Sequence, residues 1–182
     1  MKLFAKEVVN SLKHIGAIAP SSKYLANNII KHIDFGDNQI ILEFGCGNGA
    51  ITKQILKKMP SSSRLISLEI NDPFMKHCQS KFKVYNNFEI YNHSAIDFDL
   101  LLNQLDIEKV DYLISSLPLA ILNKADLDVL FKKIPQYLIN DGSFVQYQYS
   151  LNKHKFLKTV FDSVILDFTP INLPPAFIYR CT

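Results

Sequence analysis

The residues best suited to bind a ligand lie in the stretch ILEFGCGNGAITKQIL, which runs from Ile41 to Leu56. An apolar segment leads into Gly45, Gly47 and Gly49, and an amphipathic segment follows, so the pattern predicts a strand, a tight turn and a helix. Glycines let the backbone turn sharply and approach a ligand without Cβ clashes. The N–H groups and dipole of the helix would face the polar end of a nucleotide-like ligand.

Two acidic residues accompany this turn. Glu69 ends the second predicted strand, RLISLEI, roughly 20 residues beyond the turn, where a carboxylate can hold ribose hydroxyls. Glu43 lies on the otherwise apolar first strand, where a carboxylate without a partner is costly. Glu43 would repel a pyrophosphate, which disfavours a dinucleotide ligand. An ion pair between Glu43 and a nearby lysine is the simpler structural alternative.

Composition limits the classes of protein to consider. The 182 residues suffice for one domain with a full core, and 48% of them are apolar and 20% charged, as in soluble globular proteins. No apolar run approaches the ~18 residues of a membrane span. The net charge of +3 is too small to imply a nucleic-acid partner by itself. The N-terminus does not resemble a signal peptide, because Lys6 and Glu7 interrupt any apolar core.

The cysteines and histidines show no spacing typical of metal ligands. Cys46, Cys78 and Cys181 are far apart and odd in number. We therefore expect reduced thiols in a cytoplasmic protein with no structural metal. Cys46, inside the glycine turn, is expected to be a small buried filler.

Strands and helices alternate along most of the chain, which predicts an α/β fold with a parallel sheet and helices on both faces. The last two of seven predicted strands are joined by a short Pro-rich turn, so the final strand must be antiparallel. The predicted strands are residues 38–45, 64–70, 88–92, 110–117, 143–150, 163–169 and 175–181. The predicted helices are residues 2–15, 50–58, 126–139 and 153–161, with one more helix capped by Asp72. A further helix is capped by Ser21 or Ser22 and has its apolar positions at Tyr24, Leu25, Ile29 and Ile33.

Active sites in open parallel sheets lie at the carboxyl ends of the strands. Four segments are predicted to converge there. They are the loop 115–119, the end of the fifth strand with Tyr147 and Tyr149, the turn 172–175, and the segment 19–24 if it folds over as a lid.

The combination of EFGCGNG and SLEI resembles the class I S-adenosylmethionine (SAM) methyltransferases, whose turn reads E-x-G-x-G-x-G. The segments GAIAPSSKYLA, ISSLPLA, FVQYQYS and NLPPAFIYR narrow the resemblance to bacterial phospholipid N-methyltransferases, and more distantly to rRNA adenine dimethyltransferases. This likeness spans nearly the whole chain. It implies a Rossmann-like seven-stranded methyltransferase sheet in one domain, residues 1–182, with residues 1–33 as a helical lid or membrane-contact segment.

The resemblance implies SAM as the cofactor. The residues that would bind it are Glu43, Gly45, Cys46, Gly47, Gly49, Glu69, Ile70, Ser94, Ala95, Ile96 and Ser115. One departure concerns the adenine: the family usually has Gly-Asp-Ala where this chain has His93-Ser94-Ala95. Ser94 can still form a hydrogen bond, and Asp97 either replaces the missing carboxylate or caps a helix. Ile70 and Ile96 either sandwich the adenine ring or pack in the core.

The resemblance also implies an aminolipid acceptor such as phosphatidylethanolamine. The candidate acceptor-binding residues are Pro20, Ser21, Ser22, Lys23, Ser116, Leu117, Pro118, Leu119, Asn172 and Pro174. Enzymes that methylate base amines usually carry (N/D)-P-P-(Y/F) or N-L-P-Y in the loop after the fourth strand. Here Ser116 stands in place of the Asn and Leu119 in place of the aromatic ring, which favours an aliphatic acceptor. Alternatively, Leu117 and Leu119 close the core.

Tyr147 and Tyr149 are the candidate catalytic residues. Alternation along a strand places both on one face, where two rings could stabilise the cationic product nitrogen by cation–π contact. If that face is packed against the core, the two tyrosines are structural. The attacking amine must be neutral, and an apolar pocket would lower its pKa by desolvation.

The N-terminal segment carries two further hypotheses. Ser21, Ser22 and Lys23 either bind a lipid phosphate at the start of a helix or simply cap it. The amphipathic helix Lys2–Ile15 either lies on anionic membrane with its lysines at the headgroups or packs on the domain. The expected location is cytoplasmic and peripheral at the inner face of the cell membrane.

Other functions stay open from the sequence. An rRNA or other nucleic-acid adenine N-methyltransferase shares the cofactor motifs, and a non-catalytic SAM-binding module is the second alternative. A dehydrogenase is more distant. The sequence does not distinguish phosphatidylethanolamine from an ornithine lipid as the acceptor.

Overall fold

The computed structural model describes residues 23–172 and 174–182. The predicted helix Lys2–Ile15 and the predicted acceptor residues Pro20, Ser21 and Ser22 lie outside the described residues. The strands are β1 (Ile40–Phe44), β2 (Arg64–Leu68), β3 (Phe88–Tyr91), β4 (Val110–Ser115), β5 (Leu138–Gln148), β6 (Val164–Thr169) and β7 (Ala176–Cys181).

All seven strands form one sheet in the order β3-β2-β1-β4-β5-β7-β6. Strands β1 to β5 pair in parallel, and β7 is antiparallel to both of its neighbours. The predicted seven-stranded sheet with an antiparallel last strand is confirmed. The connection between β6 and β7 is too short for a crossover, so β7 turns back and pairs between β5 and β6.

Helices cover both faces of the sheet. They are α1 (Lys23–Ile30), α2 (Ala50–Lys58), α3 (Asp72–Lys81), α4 (Phe98–Gln104), α5 (Lys124–Tyr137) and α6 (His154–Val160), with a 3-10 turn at Ala95–Asp97 before α4. Helices α1, α2 and α3 contribute to the core on one face, and α4, α5 and α6 to the core on the other.

Several element boundaries differ from the sequence predictions. Helix α4 was not predicted, although Phe98, Leu101 and Leu102 give it a buried face. The cap of α3 is Asn71, whose side chain accepts from the N–H of Phe74, so the prediction of Asp72 as the cap was wrong. Local capping depends on which side chain reaches the free N–H groups, and both residues are good caps.

The junction of α5 and β5 also differs from the prediction. Helix α5 ends at Tyr137, and Leu138 already pairs with Val110 in the sheet. The pairing then shifts register before Ser143, and a Cβ on Gly142 would lie 2.9 Å from the carbonyl oxygen of Asp111. The close approach of the backbone at Gly142 lets the strand begin earlier than the turn-like sequence Asn-Asp-Gly indicates.

Among residues 23–172 and 174–182, no helix combines the length and the apolar character needed to cross a bilayer.

Candidate functional site

The glycine turn joins β1 to α2 in a left-handed backbone conformation. The φ angles are 74° at Gly45, 52° at Gly47 and 77° at Gly49. The N–H of Gly45 donates to the carbonyl of Leu68 at 2.8 Å, which fixes the turn against the end of β2. Side chains with a Cβ rarely adopt this conformation, so three glycines here are required by the backbone itself.

Gly49 and Gly47 differ in how closely the rest of the protein packs against them. A Cβ on Gly49 would lie 2.6 Å from the ring of Phe82 and 3.0 Å from the sulfur of Cys78, because α3 packs closely on the turn. Within residues 23–172 and 174–182, no atom lies within 4 Å of the point that a Cβ on Gly47 would occupy. The turn is therefore closed on the α3 side and open at Gly47, where a ligand can approach the backbone.

Glu69 lies directly after β2 and faces the turn. Its carboxylate accepts hydrogen bonds from the N–H of Gly47 at 3.0 Å and of Asn71 at 2.8 Å. Burial raises the pKa of Glu69, and these backbone donors act against that rise. An ionised carboxylate holds about four lone-pair positions, so two bonds leave capacity for ribose hydroxyls. Asn92 links the segments after β2 and β3 by donating to the carbonyl of Glu69 at 3.2 Å.

Glu43 is fully buried and binds two hydroxyl groups. Thr52 of α2 donates to its oxygens at 2.8 Å and 3.0 Å, and Ser67 of β2 donates at 2.5 Å. Burial raises the pKa of Glu43 to about 7. No lysine pairs with it among the residues that the structure describes. The burial of Glu43 fits a role in orienting the turn, since its carboxylate does not reach an open surface.

Cys46 and Cys78 fill the space beneath the turn. Both thiols are buried, and the sulfur of Cys78 donates to the carbonyl of Gly47 at 3.3 Å. The hydrogen bond with Cys78 and burial raise the pKa of the Cys46 thiol, so Cys46 is not a nucleophile at neutral pH. Within the described ranges, no cluster of three or more His, Cys, Asp or Glu side chains could hold a metal ion.

The segment after β3 forms the next part of this edge. The hydroxyl of Ser94 accepts from the N–H of Ile96 at 3.2 Å and caps the 3-10 turn, and Ala95 is buried. Asp97 lies at the start of α4, but its carboxylate makes no capping hydrogen bond to the N–H groups of this helix. Ile70 and Ile96 are both half-buried at this edge, and Ile96 packs against the core beside α5.

The loop after β4 lies against the glycine turn. The N–H of Ser116 donates to the carbonyl of Phe44 at 2.9 Å, and the hydroxyl of Ser115 accepts from the N–H of Leu117 at 3.2 Å. Side-chain carbons of Ser116 and Leu117 are each 3.8 Å from the point that a Cβ on Gly45 would occupy. The predicted acceptor loop and the predicted cofactor turn are therefore in direct contact.

The residues of this loop differ in exposure. Leu117 and Pro118 are half-buried, whereas Leu119 is fully buried in the core. Leu119 therefore closes the core, which was the structural alternative to its predicted place in an acceptor wall. Ser116, Leu117 and Pro118 are left to form the accessible part of the loop.

Tyr149 is at the end of β5 and is held by its neighbours. Its hydroxyl group forms hydrogen bonds with Asn172 and Tyr147, and the two tyrosine rings lie edge to face with centroids 5.7 Å apart. Tyr147 is buried in the core beneath α1, while Tyr149 is 37% exposed. Burial and the neighbouring Tyr147 raise the pKa of Tyr149 to about 12, so its hydroxyl stays protonated at neutral pH. The side chain of Asn172 in turn donates to the carbonyl of Pro174 at 2.6 Å.

Helix α1 is fastened across β6. Asn28 donates to the hydroxyl of Thr169 at 3.0 Å, and Asp167 pairs with His32 and, at 3.3 Å, with Lys31. These contacts place the start of α1, with exposed Lys23, toward the end of the sheet where β6 leads into Asn172.

Comparison with known proteins agrees with this geometry. The family model described as ribosomal RNA adenine dimethylase matches residues 21–136. An ornithine lipid N-methyltransferase from Singulisphaera acidiphila is 32% identical over 92% of this chain and 88% of its own length.

The chain belongs to the ribosomal RNA adenine dimethylase family of class I SAM-dependent methyltransferases.

Two further comparisons show how far the similarity extends. A ribosomal RNA small subunit methyltransferase A from Mycoplasma mycoides is 31% identical over 67% of this chain, but the match covers only 43% of that protein. The crystal structure of a precorrin-6y C5,15-methyltransferase from Geobacter metallireducens superposes with a TM-score of 0.69 over 87% of both chains. At 14% identity, this second likeness shows the fold alone.

Sequence reasoning missed the residues that hold the functional groups in place. They are Thr52, Ser67, Asn71, Gln146 and Gln148. Asn71 acts through its backbone N–H, which no residue type marks in the sequence. The signal of the other four is polarity at positions that the strand or helix pattern assigns to the interior, as in LISLE and FVQYQY. A buried polar side chain requires a partner, so such positions indicate a second polar group nearby.

The two glycines give a matched pair of variants. Gly49→Ala should lower the free energy of unfolding by roughly 2–4 kcal/mol, because strain and a steric clash with Phe82 add together. Gly47→Ala should cost only about 1 kcal/mol in stability, since it introduces strain without a clash. It should instead weaken binding of S-adenosylhomocysteine. Denaturant unfolding and calorimetry measure both effects, and equal stability losses would contradict the assignment of the open side.

Glu43→Gln should remove a pH dependence of stability. Burial raises the pKa of Glu43 from 4.5 to about 7 on folding, so the folded state binds more protons than the unfolded state between these values. The contribution of Glu43 to stability therefore falls as the pH rises through this window. As the pH rises from about 4.5 to about 7, the unfolding free energy of the native chain should decrease by roughly 3 kcal/mol relative to that of Glu43→Gln. A constant difference between the two chains across this range would show that Glu43 stays ionised.

Proposed function

We propose that this methyltransferase transfers methyl groups from SAM to the amine of an aminolipid. The observation that carries the proposal is the contact of the glycine turn with a loop that presents Ser116, Leu117 and Pro118 instead of a base-reading Asn and an aromatic ring. The extended similarity to an ornithine lipid N-methyltransferase supports the same acceptor class.

The residues around the turn fit the cofactor. The backbone at Gly47 is open to a ligand, and the carboxylate of Glu69 has lone pairs for ribose hydroxyls beside it. Ile70 and Ile96 offer half-buried apolar surface for an adenine ring. When bound, SAM supplies an activated methyl group on a sulfonium. The chain's task is therefore to position an acceptor amine for in-line attack.

The acceptor side favours a neutral amine. An alkylamine with a pKa near ~10 is almost fully protonated at neutral pH and cannot attack. The apolar surface of Leu117 and Pro118 would desolvate the amine and lower its pKa. Tyr149 does not act as a base, because its pKa of about 12 keeps the hydroxyl protonated.

The exposed ring of Tyr149 suits the product. Methylation leaves a positive charge on nitrogen, and a cation near an aromatic face is stabilised by about 0.5–2 kcal/mol. Asn172 and Tyr147 hold the ring in place through its hydroxyl group. This fixed orientation supports Tyr149 as the residue that contacts the methylated nitrogen.

The proposed acceptors are ornithine lipid and phosphatidylethanolamine, which both present a primary amine at a lipid surface. We place the chain at the inner face of the cytoplasmic membrane, with residues 2–15 as the proposed contact. Exposed Lys23 near the carboxyl edge of the sheet supports interaction with an anionic headgroup. Exposed Tyr24, Leu151 and Ile171 add apolar surface to the chain.

RNA adenine is the second candidate acceptor, because the family model and several rRNA methyltransferases match the cofactor-binding part of the chain. Ser116 and the buried Leu119 weigh against it, since they provide neither the amide nor the exposed ring that would bind a base.

Labelled SAM distinguishes these acceptors. The native chain would be incubated with vesicles containing ornithine lipid, phosphatidylethanolamine or only phosphatidylglycerol, and in parallel with rRNA. We expect the label in chloroform-extractable lipid from one or both aminolipids and none in phosphatidylglycerol or RNA. Gly47→Ala serves as the cofactor-binding control. Label in RNA would support the second candidate, and SAM binding without transfer to any acceptor would indicate a non-catalytic binding module.

A further inference from the structure

Two buried glutamines on β5 contact the loop after β4. Gln146 has no exposed surface and Gln148 is 7% exposed. Their side chains alternate with those of Tyr147 and Tyr149 along the strand, so the glutamines are on the opposite face of the sheet from the two tyrosines. The proposed mechanism assigns no task to either amide group.

The two amide nitrogens bind the same two carbonyl groups. Gln146 Nε2 donates to the carbonyl oxygens of Leu117 at 3.1 Å and Tyr147 at 2.7 Å. Gln148 Nε2 donates to the same oxygens at 2.9 Å and 2.7 Å. Each amide has two N–H groups and each carbonyl two lone pairs, so all of them are used. We call these four hydrogen bonds the amide clamp.

The chemistry of the amide clamp fixes how both side chains are turned. A flipped amide would place its oxygen against two carbonyl oxygens, which repel it. The correct orientation leaves the Oε1 atom of Gln146 buried and without a partner among the described residues. A buried acceptor without a donor destabilises the folded state, because its hydration is lost and not replaced. The amide clamp is therefore not the arrangement that stability alone would favour, and such departures are expected at functional sites.

The amide clamp joins the two parts of the acceptor side. Leu117 belongs to the loop that contacts the turn at Gly45, with a side-chain carbon 3.8 Å from the Cβ position there. Tyr147 is adjacent in sequence to Gln148 and in ring contact with Tyr149. Strand β4 ends at Ser115, so β5 continues beyond its partner and the glutamine side chains replace the missing strand.

We propose that Gln146 and Gln148 are positioning residues for the methyl acceptor. They hold the wall formed by Leu117 at a fixed place between the glycine turn and Tyr149, and so determine where the acceptor amine sits relative to the methyl group. This inference rests on the proposed aminolipid function. It predicts that the glutamines affect the use of the acceptor and leave cofactor binding intact.

Leucine variants test whether the glutamines affect use of the acceptor without affecting binding of the cofactor. Gln146→Leu and Gln148→Leu should lower kcat/KM for the aminolipid by about 10- to 100-fold, because small displacements of a reacting group are costly. Their dissociation constants for S-adenosylhomocysteine should stay within about twofold of the native value, because no cofactor-binding group is removed. Gln136→Leu is the matched control, since the side-chain amide of this exposed glutamine donates to the carbonyl of Lys132 within α5.

A glutamate variant adds a readout that packing alone would not produce. In Gln148→Glu, an ionised carboxylate would repel the carbonyls of Leu117 and Tyr147, whereas its protonated form can donate one hydrogen bond. Turnover of Gln148→Glu relative to the native chain should therefore rise as the pH is lowered from about 8 to about 6, since burial raises a carboxyl pKa. The same ratio for Gln148→Leu should stay constant.

The outcomes separate the inference from the function on which it rests. Native and Gln136→Leu chains that methylate no aminolipid would refute the proposed function and the positioning role with it. Aminolipid methylation that survives unchanged in both leucine variants would overturn the positioning role alone. Equal losses of acceptor use and cofactor binding would also overturn it. If the leucine variants do not fold, the pH response of Gln148→Glu decides: a constant ratio would refute the positioning role.

Discussion

A buried carboxylate that has no cationic partner in the described part of the chain determines how the cofactor end of this protein is built. Glu43 is completely removed from water at the end of β1 and depends on the hydroxyl groups of Thr52 and Ser67. Unsatisfied, such a group would destabilise the fold by several kcal/mol. The two hydroxyls therefore fix α2 and β2 relative to β1, and the glycine turn between β1 and α2 has little freedom to move.

The second carboxylate continues this arrangement toward the ligand. Glu69 bridges the N–H groups of Gly47 and Asn71, so the turn after β1 and the start of α3 share one anchor. The loop after β4 then packs against the turn at Gly45 and is held on its other side by the amide clamp. Buried polar groups thus hold both sides of the site. Ser67 of β2 bonds to Glu43 before the turn on the cofactor side, and Gln146 and Gln148 of β5 bond to the loop on the acceptor side.

Much of the fold could be predicted because the relevant signals are local. The alternation of strands and helices and the short connection before β7 predicted the seven-stranded sheet with its antiparallel last strand. The spacing of Glu69 behind three glycines predicted a carboxylate that holds ribose hydroxyls beside the turn. The structure puts this carboxylate at the turn, where it accepts from the N–H of Gly47. Both predictions rest on patterns within short stretches of sequence: alternating strands and helices in one case, and three closely spaced glycines followed by an acidic residue in the other.

The remaining features depend on contacts between residues far apart in the sequence. The hydroxyl of Ser67 reaches Glu43 from a neighbouring strand, and Gln148 reaches Leu117 across the end of β4. The motif SSLPL did not reveal that Leu119 lies in the core while Leu117 is half-buried against the turn. That difference depends on a core built from several strands and helices far apart in the sequence. The prediction that Asp72 caps α3 was wrong for a local reason. Asn71 and Asp72 are adjacent and cap helices equally well, so the sequence alone could not distinguish them.

The claim on which the functional proposal depends is that Glu69 and the open turn at Gly47 bind the adenosyl group. Calorimetric titration of S-adenosylhomocysteine into the native chain, Glu69→Gln and Glu89→Gln tests it directly. Glu89 is a suitable control because it pairs with Arg64 on the neighbouring strand, away from the turn. Loss of the charged acceptor in Glu69→Gln should weaken binding by about 10- to 100-fold, as expected for charge-assisted hydrogen bonds. Equal affinities for all three chains would show that the nucleoside binds elsewhere.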